Sequence, residues 1–287
     1  MCDTCGCNIT SGNEHFLQEG GKLAQTESGR EAVEVLQGLL HENDHQASHN
    51  RDHFDHHQVL AINLMSSPGS GKTSLLEATI EALNGELRVG VVEGDLETEN
   101  DANRIRQKGV PAHQISTGSA CHLDAHMVHD ALHHMALEPL DILFIENVGN
   151  LVCPASFDLG HHRNITLLSV TEGDDKPAKY PVIFRAANLM LLTKVDLLPY
   201  LEEFDPARAE HYLRHLSNPA EVISLSAKDG TGLEPWIEWL RSELSHYREA
   251  LTAGSTLHPA IAPEGAVQHQ HNHEGHQHHN HNQSETR

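Results

Sequence analysis

The chain has 287 residues, enough for one good-sized domain with appendages but a tight fit for two. Its 41 acidic residues against 19 Lys and Arg leave a formal net charge of -22, which excludes a non-specific nucleic-acid surface or an anionic membrane surface as partner. No stretch approaches the roughly 20 apolar residues of a membrane span, and the first residues lack the basic-then-apolar order of a signal peptide, so a cytoplasmic protein is expected.

The chain opens MCDTCGC, so three of its five cysteines, Cys2, Cys5 and Cys7, are crowded at one end. An odd number of thiols in a reducing compartment reads as metal or redox ligands rather than disulfides. The 26 histidines gather at 41–57, 122–134 and 269–281, and such tracts are compositional signs of metal binding.

Residues 1–57 form a polar metal-binding segment with one amphipathic helix candidate, REAVEVLQGLLHENDH, whose Val33, Leu36, Leu39 and Leu40 share a face. His41, His45, His49 and His53 recur every four residues and would stack on one face if that helix continued; disorder fits the composition equally well. From 58 to 253 the texture changes. Apolar runs VLAINLMS, LRVGVVEG, PAHQIS, DILFIENV, ITLLSV, LMLLTKV and EVISLSA read as strands. Between them TSLLEATIEALN, TENDANRIRQKG, HLDAHMVHDALHHMAL and DPARAEHYLRHLS read as helices, and EPWIEWLRSELSHYREAL closes the domain. Short apolar strands alternating with helices predict an α/β fold, a mainly parallel sheet covered on both faces. Residues 254–287, rich in His, Asn, Gln, Gly and Pro, read as a disordered tail.

The stretch SSPGSGKTS follows the first strand and opens the first helix, the setting a phosphate loop needs, because backbone amides and the helix N-terminus must converge on the phosphates. Gly69, Ser70 and Gly71 form the tight turn, Lys72 reaches the outer phosphates, Thr73 supplies a hydroxyl for Mg²⁺, and Ser74 continues the loop into the helix. Ser66 stands where the first glycine of the motif is usual. TKVD, with Lys194 and Asp196, is similar to a guanine reader: a carboxylate accepts the two protons that guanine offers and adenine does not, while the Lys stem covers the ring. Thr193 replaces the usual Asn. Ser226, Ala227 and Lys228 stand after the next strand, where a backbone amide meets the base. Asp95 in VVEGD and Glu146 in FIENVG end apolar strands, positions that hold Mg²⁺ or orient water; Glu93 competes with Asp95 for that role. Gly149 is positioned to sense the γ-phosphate, and an ordinary strand-to-helix turn remains the plain reading of TKVD by itself.

Cys121 and His122 precede a helix candidate, whose dipole would favour a thiolate, and Cys153 lies four residues beyond Gly149. Two thiolates and an imidazole leave a four-coordinate site open, which calls for another ligand, such as one from a second subunit. Burial as small apolar side chains is the alternative reading for both cysteines. His122, His126, His129 and His133 fall on one stripe, either an extension of that site or a solvated face.

The phosphate loop followed by EGD, GSACH, ENVGNLVCP, TKVDLLPY and SAK, with CDTCGC in front, closely resembles the HypB family of hydrogenase-maturation GTPases. The resemblance covers about 58–245 and the first seven residues. It implies a P-loop G domain of the SIMIBI type with slow intrinsic turnover, in which Lys72, Asp95 and Glu146 serve catalysis. It further implies a GTP-dependent homodimer that uses GTP, Mg²⁺ and Ni²⁺ and serves the [NiFe] hydrogenase large subunit together with other maturation proteins. Cys121, His122 and Cys153 would be the G-domain metal site, for nickel or zinc, and Cys2, Cys5 and Cys7 a separate nickel site. A free amine at residue 2 would complete a square-planar nitrogen and sulfur set there. The alternatives are a urease-type accessory GTPase, or a nickel store with a vestigial nucleotide site.

Overall fold

The computed structural model describes residues 29–259 apart from 96–98 and 119, together with the short pairs 17–18 and 22–23, with side chains from residue 40 onward. Cys2, Cys5 and Cys7 and the histidines at 269–281 lie outside the described residues.

The backbone runs β1 (Leu17–Gln18), β2 (Lys22–Leu23), α1 (Gly29–His57), β3 (Leu60–Ser66), α2 (Lys72–Leu83), β4 (Val89–Asp95), α3 (Asn100–Gln107), β5 (Ala112–Ser116), α4 (Ala125–Leu132) and β6 (Ile142–Glu146). It continues with β7 (Arg163–Ser169), α5 (Lys176–Lys179), α6 (Pro181–Arg185), β8 (Leu189–Thr193), α7 (Pro206–His215), β9 (Glu221–Ser224) and α8 (Leu233–Thr252). β1 and β2 form a small antiparallel ladder, and the other seven strands form one sheet in the order β5-β4-β6-β3-β7-β8-β9. Every pairing in that sheet is parallel, as the apolar runs predict.

The strand alternation sorts the helices into two layers. Leu60, Ile62 and Leu64 of β3, with Leu189 and Leu191 of β8, pack with α2, α3 and α8 through Leu75, Ile105, Trp236 and Leu240. On the opposite face Val59 and Ala61 meet Phe54 of α1 and Val128 of α4, while Met65, Met190 and Leu192 meet α6 and α7 through Ile183, Phe184 and Leu213. Both faces of the central strands are therefore dry, which explains their unbroken apolar character.

Three expectations change. The helix expected over 30–45 runs to His57, because its second half repeats buried residues at helical spacing: Asn43, Ala47, Asn50, Arg51 and Phe54 are all buried. Arg51 makes a buried ion pair with Asp158 at 2.7 Å, and Asn43 Nδ2 donates to the Asp158 carbonyl at 2.9 Å. The segment boundary at 57/58 thus falls at the end of a helix that is already docked on the domain. The tail expected from 254 begins packed: Thr256 Oγ1 donates to Asp55 Oδ1 at 2.9 Å and Leu257 rests on the core. The helix expected over 122–137 is shortened to Ala125–Leu132, because Asp124 caps it by accepting from the Met127 N–H at 2.9 Å.

Candidate nucleotide and metal site

The phosphate loop, EGD, ENVG, TKVD and SAK meet at the carboxyl edge of the sheet. Strand order reverses across β3, where chain direction carries the loops after β3, β6 and β8 to one crevice, the usual ligand position of an open α/β sheet. Two adjoining cavities occupy it. The first, about 440 Å³, is bordered by the loop 68–74, Glu93, Asp95, Glu146 and Gly149. The second, about 340 Å³, is bordered by Lys194, Asp196, Ser226, Ala227 and Lys228. Gly71, Ser74 and Lys194 border both.

The phosphate loop turns through Gly69 and Gly71 at φ +72° and +99°, angles that only glycine adopts without strain. Ser66 completes the loop in a way the motif alone does not foretell. Its hydroxyl accepts from Lys72 Nζ at 2.9 Å and from Ser70 Oγ at 2.5 Å, and donates to the Ser67 carbonyl at 2.7 Å. Thr193 Oγ1 likewise donates to the Ser70 carbonyl at 2.7 Å and Lys194 Nζ to the Gly69 carbonyl at 2.6 Å. The guanine-type motif is therefore clamped to the phosphate loop by the residue that replaces asparagine. Asp196 accepts from Ser226 Oγ at 2.9 Å and has Lys228 Nζ at 3.7 Å, which ties TKVD to SAK.

Beside Lys72 stand two buried carboxylates. Glu93 and Glu146 are register partners on β4 and β6, 2% and 5% exposed. Burial pushes Glu93 up to about 8, with Glu146 the next cause. Burial likewise pushes Glu146 up to about 7 against the pull of Lys72. Thr73 Oγ1 donates to Glu146 Oε1 at 3.0 Å, whereas Glu93 Oε2 and Glu146 Oε2 are buried without a hydrogen-bond partner. Two orphaned carboxylate oxygens and a hydroxyl around one cavity form an oxygen donor set that fits Mg²⁺. Glu93 is thus more deeply set than Asp95, which borders the same cavity half-buried. The period-two pattern of β4 puts both on one side of the sheet, but apolar neighbours alone do not say which is deeper. Arg104 also borders this cavity, held by Glu77 and by Asp101 Oδ1 at 2.8 Å. On sequence it reads as an ordinary charge of a surface helix.

Gly149 has a steric reason to be glycine: a Cβ there would sit 2.8 Å from Pro68 Cα, so the loop after β6 presses on the phosphate loop. That same loop holds the metal candidates. Cys121, His122 and Cys153 bring one ligand atom each within 4.8 Å of one another. Cys121 Sγ lies 3.2 Å from Cys153 Sγ and 3.6 Å from His122 Nδ1, and both thiols are free. The His122 ring stacks on Phe157 with centroids 4.0 Å apart, and burial pushes it down to about 4, so it stays neutral.

The expectation that a helix dipole lowers Cys121 is corrected. α4 starts at Ala125, four residues later, and burial together with Cys153 pushes the Cys121 thiol up to about 11. Sequence reasoning missed two asparagines that join the loops. Asn147 Oδ1 accepts from the Leu123 N–H at 3.1 Å and Asn150 Nδ2 donates to the Cys121 carbonyl at 3.1 Å. Their signal was present in ENVGN, whose two asparagines flank the glycine.

The CobW/HypB/UreG nucleotide-binding domain matches residues 60–224. The hydrogenase maturation factor HypB of Escherichia coli (strain K12) is 50% identical over 225 residues, covering 78% of this chain and 77% of the relative. The hydrogenase/urease maturation factor HypB of Helicobacter pylori (strain ATCC 700392 / 26695) is 42% identical over 212 residues, covering 72% and 86%. The crystal structure of HypB from Helicobacter pylori in complex with nickel superposes with a TM-score of 0.69 at 42% identity, covering 71% of this chain and 96% of that one. With a P-loop G-domain fold, a Cys-His-Cys cluster beside it and identities of this size, the chain belongs to the HypB hydrogenase maturation factors of the CobW/HypB/UreG family.

Proposed function

We propose that the chain is a GTP-hydrolysing nickel metallochaperone that gates delivery of nickel to the [NiFe] hydrogenase large subunit, working in the cytoplasm with other maturation proteins. The observation that carries this reading is the loop Glu146–Cys153. One stretch of eight residues touches the phosphate loop through Gly149, the Cys121 loop through Asn147 and Asn150, and contributes Cys153 to the metal cluster. A change in the outermost phosphate is thereby felt by a metal ligand four residues away.

In this reading the first cavity takes the phosphates and the second the guanine ring, with Asp196 as its reader and Lys194 over its face. Lys72 and the amides of 69–74 stabilise the charge that develops as water attacks the γ-phosphate. Thr73, Glu146 and Glu93 or Asp95 would hold Mg²⁺, which when bound neutralises phosphate charge. Slow intrinsic turnover follows from a phosphate loop without its own arginine. Nickel is the cargo, taken by Cys121, His122 and Cys153; zinc suits the same donors. Val152, 59% exposed beside Cys153, offers an apolar contact for a GTP-dependent homodimer that would complete the coordination. Cys2, Cys5 and Cys7 would form the separate nickel site of an amino-terminal segment, with the domain at about 58–253 and the His-rich tail beyond it. The urease alternative gains only from the name of the Helicobacter relative.

The test is GTP hydrolysis and dimerisation of the full chain with and without Ni²⁺, beside Lys72→Ala and Cys121→Ala. Hydrolysis lost in Lys72→Ala, and only the metal response lost in Cys121→Ala, is the expected result. GTP left untouched by the wild type while several equivalents of nickel bind would make the protein a store.

A further inference from the structure

Two packed helices carry imidazoles that neither cavity nor the thiolate cluster uses. α1 bears His49 and His53 one turn apart, and α4 bears His129 with His133 at its C-cap. Their packing brings the pairs together. The ring centroids of His49 and His129 are 5.1 Å apart and those of His129 and His133 are 4.7 Å apart. His133 Nε2 lies 3.2 Å from His129 Nε2.

The tautomer of His129 is set by a buried side chain. Asn50, fully buried, donates from Nδ2 to the carbonyls of Ala125 at 2.8 Å and Leu159 at 3.1 Å. Its amide orientation is thereby fixed, and Oδ1 faces His129 Nδ1 at 3.1 Å. An amide oxygen only accepts, so Nδ1 carries the proton and Nε2 of the neutral ring keeps its lone pair. A buried acceptor that holds one ring nitrogen and turns the other outward is the support that metal-ligating histidines use. Burial first, then neighbouring imidazoles, push both His53 and His129 down from the usual imidazole range. His49 and His133 are exposed, so the cluster opens to solvent.

We infer that His129 and His133, whose Nε2 atoms face each other at 3.2 Å, form a second metal site, all nitrogen, for a borderline transition dication such as Ni²⁺ or Zn²⁺, toward which the exposed His49 of α1 turns its ring to add a third donor. Its donors exclude the hard Mg²⁺, which prefers oxygen. An ion there bridges α1 to α4. It thereby clamps the helix that continues from the amino-terminal segment onto the helix that follows the Cys121 loop, which gives incoming metal a station between the two.

The site stands apart from the thiolate cluster, and its test separates the two. Hydrogen exchange of the α1 backbone amides at 43–53 is followed in the full chain with Ni²⁺ alone added, and the α4 variant His133→Lys separates an ion that bridges to α4 from one held by the histidines of α1 itself. Wild type and Cys121→Ala should both show α1 exchange slowed at least severalfold by Ni²⁺. The variant with His49→Gln and His133→Gln, two exposed positions, should exchange like the wild type without metal and show no slowing with it. His133→Lys, which keeps a polar exposed side chain, should behave the same way. Slowing that persists in either variant, slowing that disappears in Cys121→Ala, or none in the wild type overturns the inference.

Discussion

The nucleotide cavity and the Cys121 cluster lie at the same edge of the sheet, yet they handle buried acidity in opposite ways. In the cavity, Glu93 and Glu146 share their burial with a built-in cation, Lys72, whose ammonium is fixed by Ser66. In the cluster, Cys121 faces another thiol and a neutral imidazole, with no cation in its cluster. The first site is assembled before its ligand arrives, and the second becomes anionic only when a metal displaces its protons. Preorganisation suits catalysis, which gains from charges that need not move; a site that forms with its cargo suits capture and release.

The largest effect that would break this contrast belongs to Lys72. Lys72→Ala should lower GTP turnover by about 100- to 1000-fold, the cost of removing one charge-stabilising donor, while Ni²⁺ binding to Cys121 and Cys153 stays as in the wild type. Steady-state turnover and the sulfur-to-nickel absorption band check the two halves separately. Loss of the nickel band in this variant would mean that the sites are one unit.

The carboxylates give the next effect. Their pKa values, about 8 for Glu93 and about 7 for Glu146, are raised above the unfolded value. The native state therefore binds more protons at these two groups, and their contribution to stability without metal is full below about pH 4.5. That contribution is lost as pH rises through 7 to 8, while Mg²⁺ binding tightens over the same range because it needs the ionised pair. Glu93→Gln should flatten both trends, read from urea midpoints and Mg²⁺ titrations at pH 6 and pH 8.5. Equal slopes in variant and wild type would place the titration elsewhere.

The smallest effect lies under His122. Phe157→Leu removes the ring on which His122 stacks. It should cost under about 1.5 kcal/mol in stability and weaken Ni²⁺ binding a few-fold without touching turnover, as thermal unfolding and metal competition would show.

Much of this architecture is legible in the sequence. The seven apolar runs are the seven strands; the five inner ones, buried on both faces, have almost no polar positions to blur them, while the edge strands β5 and β9 are half-open and are marked by their place between helices. The phosphate loop, TKVD and SAK could be read because their chemistry sits in consecutive residues. What stayed hidden is of another kind. The depth of Glu93 beside Glu146 depends on the register of β4 against β6. The docking of α1 depends on Arg51 finding Asp158, 107 residues away. The histidines of α1 show only a four-residue repeat, and their partners on α4 appear when two helices far apart in sequence are packed together. Cys121 was misjudged for a local reason: the Asp124 cap starts α4 later than the apolar pattern does.

The central claim is that the Glu146–Cys153 loop carries the nucleotide state to the metal ligands. Its most direct test is the Ni²⁺ affinity of the Cys121 cluster, read from the sulfur-to-nickel band in a chain with Cys2, Cys5 and Cys7 replaced by serine, with GDP and with a non-hydrolysable GTP analogue, with Asn150 kept and with Asn150→Ala. With Asn150 kept, the affinity should differ between the nucleotides by at least about fivefold, a coupling of roughly 1 kcal/mol, and Asn150→Ala should bring the two affinities together. Equal affinities with both nucleotides when Asn150 is kept would contradict the account.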